Sequence, residues 1–361
     1  MNAWKDKPKI KLLIVEDSPV VREFLVRILG ADPAIEVIGT ANDGMEALEA
    51  VAKKRPDVIT MDVHMPRLDG LEATRRIMET HPTPIVIVSG STDPRDVATT
   101  FRAIEAGAVA ALRPPAGIGH PDHETTTKEL VQTVKLMSEI KVVRRTLRAG
   151  SKPQLPLAAQ VQRAQVEAKV KLVAIGASTG GPPVLQTLLA ALPADFPVPI
   201  LIVQHMASGF TQGFVQWLAQ TSSLPMHLAA HDEQLRPGHV YVAPDEFQMR
   251  VARGGRITLT KDAPENGLRP SVSYLLRSVV EVYGRDAAAG LLTGMGRDGA
   301  DELKVLRDLG AMTFAQDKES SVVHGMPGAA IQIDAATLIL PSAKIAAVLT
   351  NLVRKAGGSG P

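Results

Sequence analysis

Short β-rich apolar runs alternate with helix-length amphipathic segments through both halves of this chain, and that alternation constrains its fold more than any other feature. From Lys9 onward, strands are expected at Ile10–Val15, Val37–Ala41, Val58–Met61, Ile85–Ser89 and Ala108–Leu112, with helices between them at Val20–Leu29, Met45–Lys53, Leu71–Glu79 and Val97–Ala106. After a break the rhythm resumes with strands Val170–Ile175, Ile200–Gln204, Ala288–Leu292 and Met312–Ala315. Helices Val184–Leu192, Phe210–Gln220, Ser271–Val282 and Gly299–Leu309 accompany them, with a β-rich region at Val240–Ala243, Met249–Val251 and Ile257–Leu259. Strands of this kind, joined by helical crossovers, predict parallel, doubly wound α/β sheets. At 361 residues the chain is long enough for two such domains. In these sheets functional groups collect at the carboxyl ends of the strands.

Composition narrows the classes. With 45% hydrophobic and 22% charged residues the chain can bury substantial cores, yet no apolar run approaches the ~20 residues of a membrane span. Met1–Lys11 is lysine-rich and lacks the apolar core and cleavage site of a signal peptide. The absence of cysteine excludes disulfides, thiolate metal sites and a cysteine nucleophile, and fits a reducing cytosol. A net charge of +2 and only 3% aromatics argue against nucleic-acid binding. Lys141, Arg144, Arg145 and Arg148 read as a solvated helix face.

The expected strand ends of the first half carry Glu16 and Asp17, Asp62, Ser89 and Arg113. Three carboxylates on one rim repel unless a cation sits among them, and an all-oxygen set suits Mg²⁺. Asp62 is placed to accept a phosphoryl group, with Ser89 donating to its oxygens. The competing reading is a set of scattered, solvated acids. LLIVEDSPVVREFL, PDVITMDVHMPRLDG and IVIVSGST resemble the receiver domains of bacterial response regulators over Ile10–Ala116. The resemblance implies a flavodoxin-like (βα)5 fold in which Asp62 takes a phosphoryl group from a histidine kinase. It further implies that Glu16, Asp17, Asp62 and the backbone carbonyl of His64 hold Mg²⁺, and that Ser89 moves on phosphorylation. Arg113 stands where the family has lysine, and a planar guanidinium does not replace a compact ammonium. Ala110 stands where an aromatic switch residue is usual, and the family's bond at this point makes Arg113–Pro114 a cis candidate.

Past this segment, a helical pattern runs over Lys128–Leu147, and the Pro-, Gln- and Ala-rich stretch Gly150–Glu167 reads as an interdomain linker. His120 and His123 lack partners at ligand spacing and read as surface residues. The expected division is 1–127 for the first domain, 128–168 for helix and linker, 169–355 for the second domain and 356–361 for a tail.

The second half is organised around Gly176–Gly181. A strand ending in a glycine-flanked serine before a helix is either a nucleophile elbow that lifts Ser178 to the sheet rim or a tight turn with a serine N-cap. A nucleophilic serine needs a base, and the base needs an acceptor. His205, at the end of an apolar strand, and the Gly-flanked Asp298 fill those roles. The chain order Ser, His, Asp differs from that of α/β-hydrolases. A nucleotide site lacks Gly-Lys-Ser/Thr, leaving phosphate binding at Gly180 and Gly181 as a minor alternative.

GASTGG, LIVQHM, RPSVSYLLRSV, LTGMGRDGA and AQDKESSVVHGMP resemble the output domain of the chemotaxis protein-glutamate methylesterases over Lys169–Val353. The resemblance implies Ser178 as nucleophile, His205 as general base and then acid, and Asp298 as the orienting carboxylate. Elbow geometry makes the N–H of Thr179 an oxyanion donor, and the family suggests that of Met295. Gln248, Ser273 and Asp334 depart from the residues usual there. The implied protein is a cytoplasmic monomer, peripheral to receptor arrays and not inserted in the membrane. It hydrolyses γ-glutamyl methyl esters on methyl-accepting chemoreceptors, and deamidates receptor glutamines, without a cofactor for ester hydrolysis. The receiver would cover the active site until phosphorylated. Two competitors are an esterase with a degenerate, non-switching receiver and a non-catalytic signalling module.

Overall fold

The computed structural model describes residues 8–90, 94–140 and 170–355. They fall into two compact units, one on either side of the division between residues 148 and 149.

The first unit is a five-stranded sheet of β1 (Ile10–Val15), β2 (Ile35–Ala41), β3 (Val58–Met61), β4 (Ile85–Val88) and β5 (Ala110–Leu112), in the order β2-β1-β3-β4-β5. Every pairing is parallel. β3 and β4 are buried at every position, as strands covered by helices on both faces must be. The crossovers are α1 (Pro19–Gly30), α2 (Gly44–Lys54), α3 (Gly70–Thr80), α4 (Pro94–Glu105) and the closing α5 (His123–Ser138). Asp43 caps α2 by accepting from the N–H groups of Met45 and Glu46, and Asp69 caps α3 through Glu72. α5 begins five residues before the expected Lys128 and buries Leu130, Val134 and Met137. It ends at Ser138, with Glu139 as its C-cap, short of the expected Leu147; residues 141–169, with the expected linker, lie outside the described residues. The Arg113–Pro114 bond is not cis; the cis bond among the described residues precedes Pro270, at Arg269.

The second unit is a seven-stranded parallel sheet in the order β14-β13-β12-β6-β7-β9-β8. Its strands are β6 (Leu172–Ala177), β7 (Ile200–Gln204), β8 (Met226–Leu228), β9 (Val240–Val242), β12 (Ala287–Leu291), β13 (Met312–Gln316) and β14 (Leu338–Leu340). A separate antiparallel hairpin joins β10 (Gln248–Ala252) to β11 (Arg256–Thr260). The helices are α6 (Gly181–Ala190), α7 (Thr211–Ala219), α8 (Val272–Val282), α9 (Ala300–Asp308), α10 (Met326–Gln332) and α11 (Ser342–Lys355). One face of the sheet buries Leu172, Ala174, Leu201 and Val203 with Val272, Leu276 and Leu303 of the covering helices. The three-residue β8 is half-buried along its length and too short to display alternation in sequence. β14, α10 and α11 are further additions to the elements expected from the pattern. None of the described helices is long and apolar enough to cross a membrane.

β6 lies at the topological switch point. From it the chain proceeds to β7, β8 and β9 on one side, then to β12, β13 and β14 on the other. The carboxyl ends of β7, β6 and β12 therefore border one crevice, where open α/β sheets place their ligands.

Candidate active site and acidic switch site

In the first unit, β1 and β3 pair with Val15 opposite Met61, so the next residues, Glu16 and Asp62, emerge side by side. Ligand oxygens of Glu16, Asp17 and Asp62 lie within 4.8 Å of one another. Burial, followed by the charge of Asp62, pushes Glu16 up to about 7 despite a hydrogen bond from the Ser18 N–H. Burial and the charge of Asp17 likewise raise Asp62 to about 6, against opposing hydrogen bonds from the N–H groups of Val63 and His64. The site is therefore short of positive charge, and its all-oxygen carboxylate donors match a hard cation. Arg22 offsets this only weakly: its charge is the smallest of the effects on Glu16, and its guanidinium donates to the carbonyls of Glu16, 2.8 Å, and Asp17, 3.2 Å. His64 has an exposed side chain just beyond Asp62. Buried Ser89 and half-buried Arg113 occupy the step after the Val88–Leu112 pair, at the ends of β4 and β5. The structure thus brings all the expected switch positions to one rim.

In the second unit the turn after β6 excludes one of the two readings of Ser178, the serine N-cap. The N-cap of α6 is Gly180, and no side chain caps this helix. Ser178 stands two residues earlier, with its N–H donating to the Thr293 carbonyl at 3.0 Å and its own carbonyl accepting from Gly181 N–H at 2.8 Å. The serine is therefore part of a backbone turn that leaves its hydroxyl free of capping duty. Ala177 of β6 pairs with Gln204 of β7, so Ser178 and His205 are neighbours one step beyond the paired strands. The period-2 alternation of strands puts both on the face of α8; a side chain at Gly176, on that same face, would run into Val272.

His205 Nε2 lies 2.9 Å from Asp298 Oδ2, and the two side chains are only 10% and 4% exposed. Asp298 is held at the N-terminus of α8, where helical N–H groups favour an anion. It accepts from Val272 N–H at 2.6 Å, Ser273 N–H at 3.0 Å and the Ser271 hydroxyl at 2.9 Å. Burial alone would raise this carboxyl, but the hydrogen bond and charge of His205 with the two backbone N–H groups bring it down to about 2. It is an anion throughout the neutral range.

The loop after β12 passes directly beneath Ser178. A side chain at Gly294 would meet Ser178 Cβ at 2.7 Å and Met326 Sδ at 2.5 Å, so only glycine lets the backbone pass so near. Thr293 anchors the loop: its N–H donates to Gln316 Oε1 at 2.8 Å and its hydroxyl to the Thr179 carbonyl at 2.9 Å. Among the described residues, neither the N–H of Thr179 nor that of Met295 has a hydrogen-bond partner. Met295 is also one of the exposed large apolar side chains, with Val322.

Two of the three residues that depart from the resembling family support this site, and neither role was visible in the sequence. Gln248 is fully buried, and its Oε1 accepts from Ser271 N–H at 2.8 Å. The Ser273 hydroxyl accepts from Gly299 N–H at 2.9 Å, fixing the backbone just after Asp298. Asp334 lies away from the triad and pairs with Arg307. On the far side of His205, Asp245 accepts from Gly209 N–H at 2.7 Å and from the Thr211 hydroxyl, tethering the loop that follows the histidine. An acid immediately after a short strand and a proline was the available signal for Asp245.

Comparison with known proteins agrees with this arrangement. The CheB methylesterase family matches residues 173–349, and the response regulator receiver domain family matches residues 12–118. A protein-glutamate methylesterase/protein-glutamine glutaminase of Nitrosospira multiformis is 63% identical over 354 residues, covering 96% of this chain and 98% of its own. One from Geobacter metallireducens is 60% identical over 347 residues, covering 95% and 99%. The crystal structure of the Thermotoga maritima CheB methylesterase catalytic domain matches with a TM-score of 0.50 at 40% identity, over 51% of this chain and 99% of that one. With a receiver-type acidic rim in one unit and a serine–histidine–aspartate constellation in the other, and with these relatives spanning nearly its whole length, the chain belongs to the CheB family of protein-glutamate methylesterases/protein-glutamine glutaminases.

Proposed function

We propose that Ser178, His205 and Asp298 hydrolyse γ-glutamyl methyl esters on methyl-accepting chemoreceptors and deamidate receptor glutamines, under control of phosphorylation at Asp62. The observation that carries this reading is the His205–Asp298 pair standing one strand-step from a serine that caps nothing. Ser178 Oγ attacks the ester carbonyl while His205 takes its proton through Nδ1, the nitrogen left by the Nε2 bond to Asp298. The oxyanion that develops is met by the N–H groups of Thr179 and Met295, which have no other partner among the described residues. The tetrahedral intermediate expels methanol, which takes the proton from His205, or ammonia when the substrate is a glutamine. Water then attacks the acyl-Ser178 ester with the proton transfers reversed.

In the receiver, Glu16, Asp17 and Asp62, with the His64 carbonyl, would hold Mg²⁺, which when bound supplies positive charge for phosphoryl transfer. The Asp62 carboxylate accepts the phosphoryl group from a histidine kinase, Ser89 donates a hydrogen bond to it and Arg113 offers charge. The protein works as a cytoplasmic monomer, peripheral to receptor arrays. The division expected from the sequence remains the working one, with a receiver over 1–127, helix and linker over 128–168 and a hydrolase over 169–355.

Methanol release from methylated receptor, measured with the full-length chain with and without a small phosphodonor, tests both halves. Ser178→Ala should abolish release, and Asp62→Asn should keep basal release while losing stimulation. Activity in Ser178→Ala would overturn the nucleophile. Absence of stimulation in the wild type, or equal stimulation in Asp62→Asn, would make the receiver a non-switching cover.

A further inference from the structure

The residue before the catalytic histidine has an unusual arrangement of bonds. Gln204 is the last residue of β7 and is 4% exposed. Its Nε2 donates to the carbonyl of Ser178 at 2.8 Å and also to the carbonyl of His205 at 2.8 Å. Its Oε1 is buried and has no hydrogen-bond partner among the described residues. Two carbonyl acceptors leave the amide no choice of orientation: the NH₂ must face them, and the oxygen must face away. That oxygen is directed at the first turn of α6, where a side chain at Gly181 would lie 2.1 Å from it and 2.9 Å from Ala177 Cβ. Gln204 and Ala177 therefore occupy the α6 face of the sheet, while Ser178 and His205 project from the α8 face above them.

A buried amide oxygen without a partner is costly, and it persists where something else over-determines the side chain. Here the other end of the amide joins the main chains of two residues that must keep a fixed separation. Strand pairing ends at Ala177 and Gln204. Beyond it, the His205 N–H to Ala177 carbonyl bond at 2.9 Å and the two Gln204 bonds hold the turns together. The Gln204 bonds are the ones that reach the Ser178 and His205 carbonyls from a single group.

We infer that Gln204 is a positioning residue for the hydrolysis, a clamp on the opposite face of the sheet that sets the spacing of Ser178 and His205 by binding the carbonyls of both. This rests on the nucleophile and base assigned above. Gln204 touches neither substrate nor reacting atoms, so its loss acts on the reaction and not on binding. Gly181 is its complement, since only an absent side chain admits the amide oxygen beneath α6.

The test uses the full-length chain and methanol release from methylated receptor, together with labelling of Ser178 by a fluorophosphonate. Gln204→Met keeps the length and volume but removes both donors. It should lower kcat and the labelling rate by roughly 30- to 100-fold, the rate equivalent of two hydrogen bonds and a small displacement of a reacting pair, with KM changed by less than about threefold. Gly181→Ala pushes on the same amide from the helix side and should reproduce the split between kcat and KM; it decides the matter if Gln204→Met does not fold. Wild-type kcat in folded Gln204→Met, or a parallel rise of KM by tenfold or more, would overturn the clamp. Ser178→Ala separates the two levels. If it is inactive while Gln204→Met is as fast as wild type, the clamp fails alone; if it is active, the nucleophile assignment fails with it.

Discussion

Asp298→Asn is the most informative single perturbation, because the structure specifies what each carboxylate oxygen must do. Oδ1 accepts from the Ser271 hydroxyl and the Ser273 N–H; Oδ2 accepts from His205 Nε2 and the Val272 N–H. An asparagine has one acceptor oxygen and must turn its NH₂ toward one of these pairs. If the NH₂ faces Ser271 and Ser273, the hydroxyl can reverse and accept, but the Ser273 N–H is stranded. If it faces His205 and Val272, the imidazole must present an unprotonated Nε2, the wrong tautomer for a base acting through Nδ1, and the Val272 N–H is stranded. Either orientation leaves one buried backbone donor unpaired, at a cost of about 1–3 kcal/mol in stability. Loss of the anion should lower kcat by roughly 10⁴-fold, the size of effect found when a triad aspartate becomes asparagine. The pH dependence provides an independent check. The carboxyl is depressed from 3.8 to about 2 on folding, so its contribution is fully present above about pH 4 and is lost as pH falls toward 2, a difference of about 2 kcal/mol. Wild type should therefore lose stability over that window more steeply than Asp298→Asn in calorimetric unfolding of the full chain. A variant whose kcat stays within tenfold of wild type, or whose acid limb is as steep as the wild type's, would refute the orienting role.

The acidic rim makes the opposite prediction. Glu16 and Asp62 are raised to about 7 and about 6, so the folded receiver binds more protons than the unfolded chain, and metal-free protein should lose stability as pH rises from about 4 to 7. Saturating Mg²⁺ should flatten that dependence, and chelation should stop phosphorylation by a small phosphodonor; a calorimetric profile indifferent to Mg²⁺ at pH 8 would count against the cation site. Ser271→Ala removes both the cap of α8, which accepts from Tyr274 N–H at 3.3 Å, and a donor to Asp298. It should destabilise the protein by about 1–2 kcal/mol, read as a lower Tm, and reduce kcat far less than Asp298→Asn does.

Much of this molecule is local in character and therefore legible in one dimension. The strands that carry the two rims are predominantly apolar runs, and the candidate site residues follow at their carboxyl ends. Reading strand ends was enough to select Glu16, Asp62, Ser178 and His205. Helix bounds were mostly within three residues, because capping acids such as Asp43 and Asp69 act on N–H groups two or three positions away. α5 began earlier, since its polar first turn is tied back to the preceding loop: His123 Nδ1 lies 2.6 Å from the Ala116 carbonyl, and the Thr126 hydroxyl accepts from the Ala116 N–H.

What the sequence by itself determined was the architecture and the candidates for the reacting groups: parallel sheets follow from the βα rhythm, and each rim residue follows from its place after a strand. Whether Ser178 capped a helix or stood free could not be read there, because both turns use the same residues; the placement of the cap at Gly180 decided it. Nor could the donors that hold Asp298 beside His205 be read. They come from Ser271 and the first turn of α8, about 25 residues away in sequence, and Ser271 is itself held by Gln248, 23 residues earlier. Gln204 shows the limit most plainly. Its neighbour in sequence announces a base, but its own role depends on which face of the sheet it takes and on a glycine in a helix above it. Such contacts depend on tertiary packing, which brings together groups whose separation in sequence carries no periodic signal.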